Sequence, residues 1–354
     1  MKLGLVGLAH SGKTTLFNAL TGLSAETGYY QKNNEPNIAI TEIRDERVTN
    51  LSKLYEPQKT IYSSLEILDF PADEEEKKKQ FNGPQLKILD AFAVVLRNFS
   101  DPILDQSLGT PDPLKDLEDI EIEMILSDLQ IAEKRLEKVQ LGFKRGVKTA
   151  ETLFEEKVLL RIVESLQNEK PIRGLELAPD EEKTIRGFQL LTQKPMMVLV
   201  NSGETNYLKN EELLDKIRQK GYIAEDFLGR FEMELIGLDE EDKQLFMEDM
   251  GIVSSARDRI ISLAYRLLGY VNFFTVGKGE VRAWAITAGT NAQNAAGVIH
   301  SDLQRGFIRA ECFSYDDIME YGSEKVLREK GKFRLEGKNY LVNDGDILSI
   351  RFSV

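Results

Sequence analysis

The residues with the clearest chemical potential stand near the start of the chain. Gly7-Leu8-Ala9-His10-Ser11-Gly12-Lys13-Thr14 fits G-x-x-x-x-G-K-[ST] without a gap, between a strand and a helix, the setting that pattern needs. Its glycines let backbone N–H groups wrap a phosphate closely. The helix that follows, with Thr14 and Thr15 in its first turn, presents its positive N-terminal end to the same anion. Lys13 is placed to reach β- and γ-phosphates, and the Thr14 hydroxyl to ligate Mg²⁺. The implied chemistry is nucleotide binding; an ordinary Gly-rich turn is the plainer alternative. His10 is either a tolerated loop residue or a pH-sensitive phosphate contact.

Two later elements extend this chemistry. Asp69 ends the apolar stretch Ser64–Asp69, where P-loop NTPases place the carboxylate that holds Mg²⁺ through water. A strand-end turn residue is the alternative. Asn201-Ser202-Gly203-Glu204 follows the apolar run Met196–Val200. GTPases carry Asn-Lys-x-Asp there, and the Asp accepts hydrogen bonds from guanine. Glu204 is one methylene longer and the Lys is absent, so selectivity for guanine is weakened, while Asn201 can still bond an adenine amino edge. ATP and GTP are both expected ligands.

These residues need a scaffold. Lys2–Val6 is a short apolar strand, Ala91–Leu96 and Met196–Val200 are continuous apolar runs of the parallel-sheet kind, and Leu16, Phe17 and Leu20 have helical spacing. An α/β P-loop domain is predicted over 1–112 and 194–268. Its interruption, 113–193, carries Ile122, Ile125, Leu129, Ala132, Leu136, Val139 and Phe143 at spacings alternating between three and four, a coiled-coil seam. Gly142 and Gly146 lie near its end, a second helix is predicted over Lys148–Gln167, and a short third one around Glu181–Leu191. The reading is an inserted antiparallel helical hairpin. Over 269–354, strands Val271–Thr275 and Glu280–Ile286 flank Val276-Gly277-Lys278-Gly279. A helix Ala292–Ile299 and strands Phe307–Phe313 and Ile347–Phe352 follow, which suits a β-grasp module. Trp284 and Phe274 read as core, Cys312 as a small buried hydrophobe, and His300 as a structural or interface residue.

The 354 residues suffice for two or three domains at ~150 each. A net charge of −13 excludes a polycation that coats nucleic acid, and one cysteine excludes an internal disulfide or a Cys-based zinc site. No apolar run approaches the ~18–20 residues of a membrane helix. No signal peptide is expected, because the chain enters a strand at once. A cytoplasmic monomer is predicted. The strongest charge asymmetry is Lys134, Arg135, Lys138, Lys144, Arg145 and Lys148 near the hairpin tip, opposed only by Glu137. It reads either as a solvated helix face or as a contact for an RNA phosphate backbone.

Phosphate loop, Asp69, Asn-x-x-Glu, hairpin insertion and terminal β-grasp module together resemble the Obg-like ATPase (YchF) family. That family lies in the translation-factor branch of P-loop GTPases and often prefers ATP. The likeness covers nearly the whole chain and is strongest in Phe273-Phe274-Thr275, Glu280–Trp284, Ala295–Asp302, Gly306–Glu311, Leu335–Lys338 and Asp344-Gly345-Asp346, which look like a TGS (ubiquitin-like) domain. Glu35-Pro36-Asn37 matches a family signature, and Leu228-Gly229 aligns with the last base-binding loop. The resemblance implies nucleotide hydrolysis stimulated by a partner, with ribosome association. Departures fall on the switches. Asn33 stands where a Thr is expected, and Asp69-Phe70-Pro71-Ala72 lacks the glycine that senses a γ-phosphate. Asp73 replaces an apolar residue, and much of the Gly-rich stretch is missing before Asp73–Lys79. Slow hydrolysis is therefore expected, with Lys13 and Asp69 as the catalytic positioning groups and no clear general base. A nucleotide-bound adaptor without significant hydrolysis is the alternative.

Overall fold

The computed structural model describes residues 1–25, 36–70, 84–252 and 254–353. Two compact units form, Met1–Ala39 with Glu66–Ile260, and Ile40–Leu65 with Ile261–Val354.

The first sheet uses β1 (Lys2–Val6), β2 (Asn37–Ile43), β4 (Ser63–Asp69), β5 (Ala91–Asn98), β6 (Met196–Ser202) and β7 (Ile223–Phe227), while β3 (Lys59–Ile61) joins a second sheet. The order is β2-β4-β1-β5-β6-β7, with β4, β1, β5, β6 and β7 parallel neighbours. Every residue from Ala91 to Leu96 and from Met196 to Val200 is buried, as expected of central strands covered on both faces. Parallel strands bring their C-terminal ends to one edge of the sheet. Register aligns Leu5 with Asp69 and Arg97 with Asn201, so β1, β4 and β6 deliver the phosphate loop, the carboxylate and the Asn to that edge.

The insertion is a helical hairpin, Pro113–Lys144 and Ala150–Gln167, capped by Asp112 and Thr149. Its first helix changes partner along its length. Leu117, Ile120 and Met124 pack on Phe92, Val94, Leu96 and Val198 of the sheet; Ile125, Ala132 and Val139 then pack on Val158, Leu159, Ile162 and Leu166 of the second helix. The predicted seam begins one step too early, because Ile122 is 41% exposed. Two residues beyond Ile120 is about 200° around a helix, so Ile122 points away while its neighbours face the sheet. The predicted third helix is broken, with helix Pro179–Ile185 followed by 3₁₀ turns at Arg186–Phe188 and Leu191–Gln193. Gln189, at φ +50°, ends the first of these turns.

The second unit is built on β8 (Tyr270–Thr275), β9 (Glu280–Thr287), β10 (Phe307–Ser314), β11 (Arg334–Glu336) and β12 (Asp346–Phe352), in the order β11-β10-β12-β8-β9-β3. A parallel β12–β8 pair lies at its centre, between antiparallel neighbours, in β-grasp fashion. Helix Ala292–Ile299 lays Ala292, Ala295 and Ala296 on Phe273, Ile286, Ala310 and Cys312; Phe274 and Cys312 are fully buried. Trp284 is only partly buried, against Phe273 and under the Arg282 guanidinium. His300 caps helix Ser301–Arg305, its Nδ1 accepting from the Asp302 N–H. The sequence assigned residues 40–65 to the nucleotide-binding part, yet here they belong to this unit. β3 pairs in parallel with β9, and Val48 and Leu51 of helix Glu46–Tyr55 pack on Phe274, Val281, Phe313 and Ile347.

Candidate phosphate-binding site

Between β1 and helix Lys13–Thr21 the backbone makes turns that only certain residues tolerate. Gly7 has φ +153° and Gly12 φ +97°. A Cβ on Gly7 would stand 2.4 Å from the Val95 carbonyl oxygen, and one on Gly12 would stand 2.1 Å from Asn201 Nδ2. His10, at φ +59°, is a non-glycine residue in the left-handed region, which marks the loop as held in shape by its surroundings. Ser11 is buried and its Oγ has no hydrogen-bond partner among the described residues. Thr15 is half-buried on the first turn of the helix.

Lys13 folds back over this loop. Its ammonium donates to the carbonyls of Gly7 and Leu8, both at 2.9 Å, and the residue is 6% exposed. Burial pushes the Lys13 ammonium down to about 8, against the opposing pull of Asp69. The sign of the resulting pH effect follows directly. A bound phosphate raises the lysine's affinity for its proton, so binding takes up a proton wherever the free lysine is neutral. Phosphate affinity is expected to be full below about pH 8 and to fall as the pH rises above it, a trend that calorimetric titration checks. A flat profile would mean that Lys13 does not touch the ligand.

Beside Lys13 the Thr14 hydroxyl donates to Asp69 Oδ2 at 2.7 Å, and Asn37 Nδ2 donates to the same oxygen at 3.1 Å. Asp69 Oδ1 is buried with no hydrogen-bond partner among the described residues. A hydroxyl that donates its proton keeps lone pairs on its oxygen. One hydroxyl and one carboxylate beside a phosphate cradle form the oxygen set that Mg²⁺ takes, with water and phosphate completing the shell. Among the described residues no group of three or more His, Cys, Asp or Glu could hold a metal.

Asn201 has a structural task that the sequence did not show. Its Nδ2 donates to the Ser11 carbonyl at 3.0 Å, and its Oδ1 accepts from the Gly229 N–H at 3.1 Å. Both ends of the amide thus bridge the phosphate loop to the Leu228-Gly229 turn, and the group is 5% exposed. These two bonds hold the two loops together and leave the second Nδ2 hydrogen for a further acceptor. Glu204 is exposed in the turn after β6. That turn is itself anchored, since the Gly203 N–H donates to Asn206 Oδ1 and Asn206 Nδ2 donates to the Asn98 carbonyl. Asn33, Glu35, Pro71, Ala72 and Asp73–Lys79 lie outside the described residues.

The basic residues of the hairpin divide into two sets. Arg135 is engaged, its Nε and Nη2 donating to Glu155 at 2.7 and 2.9 Å, and Lys148 lies 5.6 Å over the Phe143 ring. Lys134, Lys138, Lys144 and Arg145 are exposed. At about 100° per residue, Lys134, Lys138 and exposed Leu141 share one stripe of the first helix, and Arg145 continues it at the C-cap. The facing helix adds Glu151, Glu155 and Glu156, which dilute the positive charge at the tip.

Asn37 is the site residue that sequence reasoning left without a role. Its place in Glu35-Pro36-Asn37 was visible, but its contact with Asp69 depends on the strand pairing. Among the described residues no helix is long and apolar enough to cross a membrane.

Residues 270–353 match the YchF-GTPase_C family, described as a protein of unknown function (DUF933). The chain is 38% identical to the ribosome-binding ATPase YchF of Bacillus subtilis (strain 168), over 99% of each chain. It is 36% identical to the protein of that name from Haemophilus ducreyi, over 100% of this chain and 99% of the relative. The solved structure of the Schizosaccharomyces pombe YchF GTPase superposes with a TM-score of 0.85 at 28% identity, covering 99% of this chain and 97% of that one.

Proposed function

The chain belongs to the YchF family, and from that premise we propose that it binds a purine nucleoside triphosphate with Mg²⁺, hydrolyses it slowly and works on the ribosome. The observation that carries the reading is the joint placement of Lys13, Thr14 and Asp69 around a glycine-shaped phosphate cradle. In this reading the backbone of Gly7–Gly12 and the N-terminal end of helix Lys13–Thr21 bind the phosphates, and Lys13 neutralises charge on the β- and γ-oxygens. Thr14 and Asp69 hold Mg²⁺, which supplies charge neutralisation when bound. Asn201 and Gly229 keep the loop and the base-side turn in register, and Glu204 selects the base. ATP and GTP are both candidate substrates. His10 and Ser11 complete the loop, and Thr15 its first helical turn.

Slow turnover follows from the sequence at Asp69-Phe70-Pro71-Ala72, where the γ-phosphate-sensing glycine is missing. Phosphate release below the order of 1 s⁻¹ is the expected result. Calorimetry with ATP, GTP and their diphosphates, with and without Mg²⁺, tests the reading. Absence of binding overturns it, and tight binding without any phosphate release favours an adaptor that holds its nucleotide.

Ribosome association is supported by the names of the curated relatives, and the exposed hairpin stripe fits the phosphate backbone of RNA. Reversing Lys134, Lys138 and Arg145 to Glu is expected to weaken ribosome binding at low salt and to lower the salt slope by about one per lost contact. Arg135 is left out of that set because of its bond to Glu155. Unchanged binding in a sedimentation assay would remove the hairpin from the contact.

A further inference from the structure

Asp69 uses its two carboxylate oxygens unequally. Oδ2 accepts both described donors, Thr14 Oγ1 at 2.7 Å and Asn37 Nδ2 at 3.1 Å, while Oδ1 is buried with no hydrogen-bond partner among the described residues. Asp69 is 1% exposed. A buried carboxylate oxygen without a donor costs free energy unless a ligand or its hydration shell supplies one. Two donors on one oxygen also restrain the carboxyl plane, one from the helix Lys13–Thr21 and one from the first residue of β2.

We propose that Asn37 is a positioning residue for the divalent cation. It holds Asp69 through Oδ2 so that Oδ1 is left for the hydration shell of a cation on the bound nucleotide. The inference rests on the reading of the phosphate loop as a nucleotide site. The chemistry of the side chain suits the task. A carboxamide N–H is a neutral donor, so it orients the carboxylate without adding a positive charge that would compete with the cation, as Lys or Arg would. The fixed geometry also separates Asn37 from the cation's own ligands, because it contacts the carboxylate and acts through it. Loss of such outer-shell partners elsewhere weakens metal binding by about 10–100-fold.

The test uses the full chain and a fluorescently labelled ADP, titrated in EDTA and then with rising Mg²⁺. For the unaltered protein, Mg²⁺ tightens nucleotide binding with a measurable half-effect concentration. Asn37→Leu keeps the volume and removes the donor. Its half-effect concentration is expected to rise about tenfold or more, while affinity in EDTA stays unchanged and the thermal midpoint falls by no more than about 4 °C, the shift that about 1 kcal/mol gives. Asn37→Ala, which cannot clash, is expected to behave alike, and electron paramagnetic resonance of bound Mn²⁺ gives a second readout independent of turnover. An unchanged half-effect concentration in both variants overturns the proposal and leaves the nucleotide reading standing. A parallel loss of affinity in EDTA overturns it too, since Asn37 would then shape the fold rather than the cation site. Absence of any nucleotide binding by the unaltered protein overturns both.

Discussion

Replacing Lys13 by Met is expected to lower nucleoside triphosphate affinity by about a hundredfold or more while leaving the ligand-free protein as stable or more so. The two effects share one cause. Lys13 is 6% exposed, and among the described residues its ammonium donates to the Gly7 and Leu8 carbonyls. Its affinity for a proton drops to about 8, so burial of the charged form opposes folding at neutral pH. Unfolded chain binds the extra proton, and stability from this group should therefore rise between pH 8 and the ordinary lysine value of 10.5. Methionine fills a similar volume without the charge, and such exchanges of a buried charge are often neutral or stabilising. In the complex the balance reverses. Charge-assisted hydrogen bonds contribute about 1.5–3 kcal/mol each, and losing a pair of them corresponds to the stated hundredfold or more. Calorimetry reads the first effect and a thermal melt without nucleotide the second. Equal affinities for the two proteins would show that the loop does not hold phosphate, and a large fall in ligand-free stability would show that Lys13 is a structural residue.

The phosphate loop was legible because its chemistry is contiguous: the glycines, Lys13 and Thr14 are local to one strand–turn–helix. Asp69 was legible from its strand-end position. Asn201 was located, but its bonds to Ser11 and Gly229 were not legible, because those partners meet it only once β1, β6 and β7 are assembled. The same limit hid the place of residues 40–65. Lys59-Thr60-Ile61 has no periodicity of its own, and its partner Glu280–Arg282 is remote in sequence. Helix Glu46–Tyr55 lies between Asn37 and Asp69 in the chain, yet Val48 and Leu51 serve the core of the C-terminal unit. Local pattern reports which face of an element is apolar but not what that face meets. The hairpin makes this point within a single helix, since its seam was correctly spaced from Ile125 onward and wrong at Ile122, where the sheet replaces the second helix as partner.

Asp128 is the residue where this limit has the largest expected consequence for stability. It stands between Ile125 and Ala132 on the buried side of the first hairpin helix, where a charged residue breaks the apolar pattern, and it is fully buried. Its carboxylate accepts from the Leu191 N–H at 2.8 Å, the Thr192 N–H at 2.7 Å and the Thr192 hydroxyl at 2.7 Å. Burial pushes the Asp128 carboxyl up while these three donors pull it down. The 3₁₀ turn Leu191–Gln193 leads through Pro195 into β6, so the bond fastens the hairpin base to the strand that carries Asn201 near its far end. Asp128→Ala leaves two backbone donors and a hydroxyl buried without an acceptor and opens a cavity. A loss of about 3–5 kcal/mol is expected, the range for removing one partner of a buried charged interaction. Thr192→Val removes one of the three donors together with the acceptor of the Ile172 N–H at 3.3 Å, and should cost a smaller amount, about 1–3 kcal/mol. Denaturant unfolding of the two variants checks the ratio. A small effect of Asp128→Ala would mean that the turn finds another acceptor, such as water entering the cavity. If the large effect is found together with weakened nucleotide binding, the hairpin base and the phosphate loop are mechanically joined through β6, because Asp128 acts at one end of that strand and Asn201 holds the loop at the other.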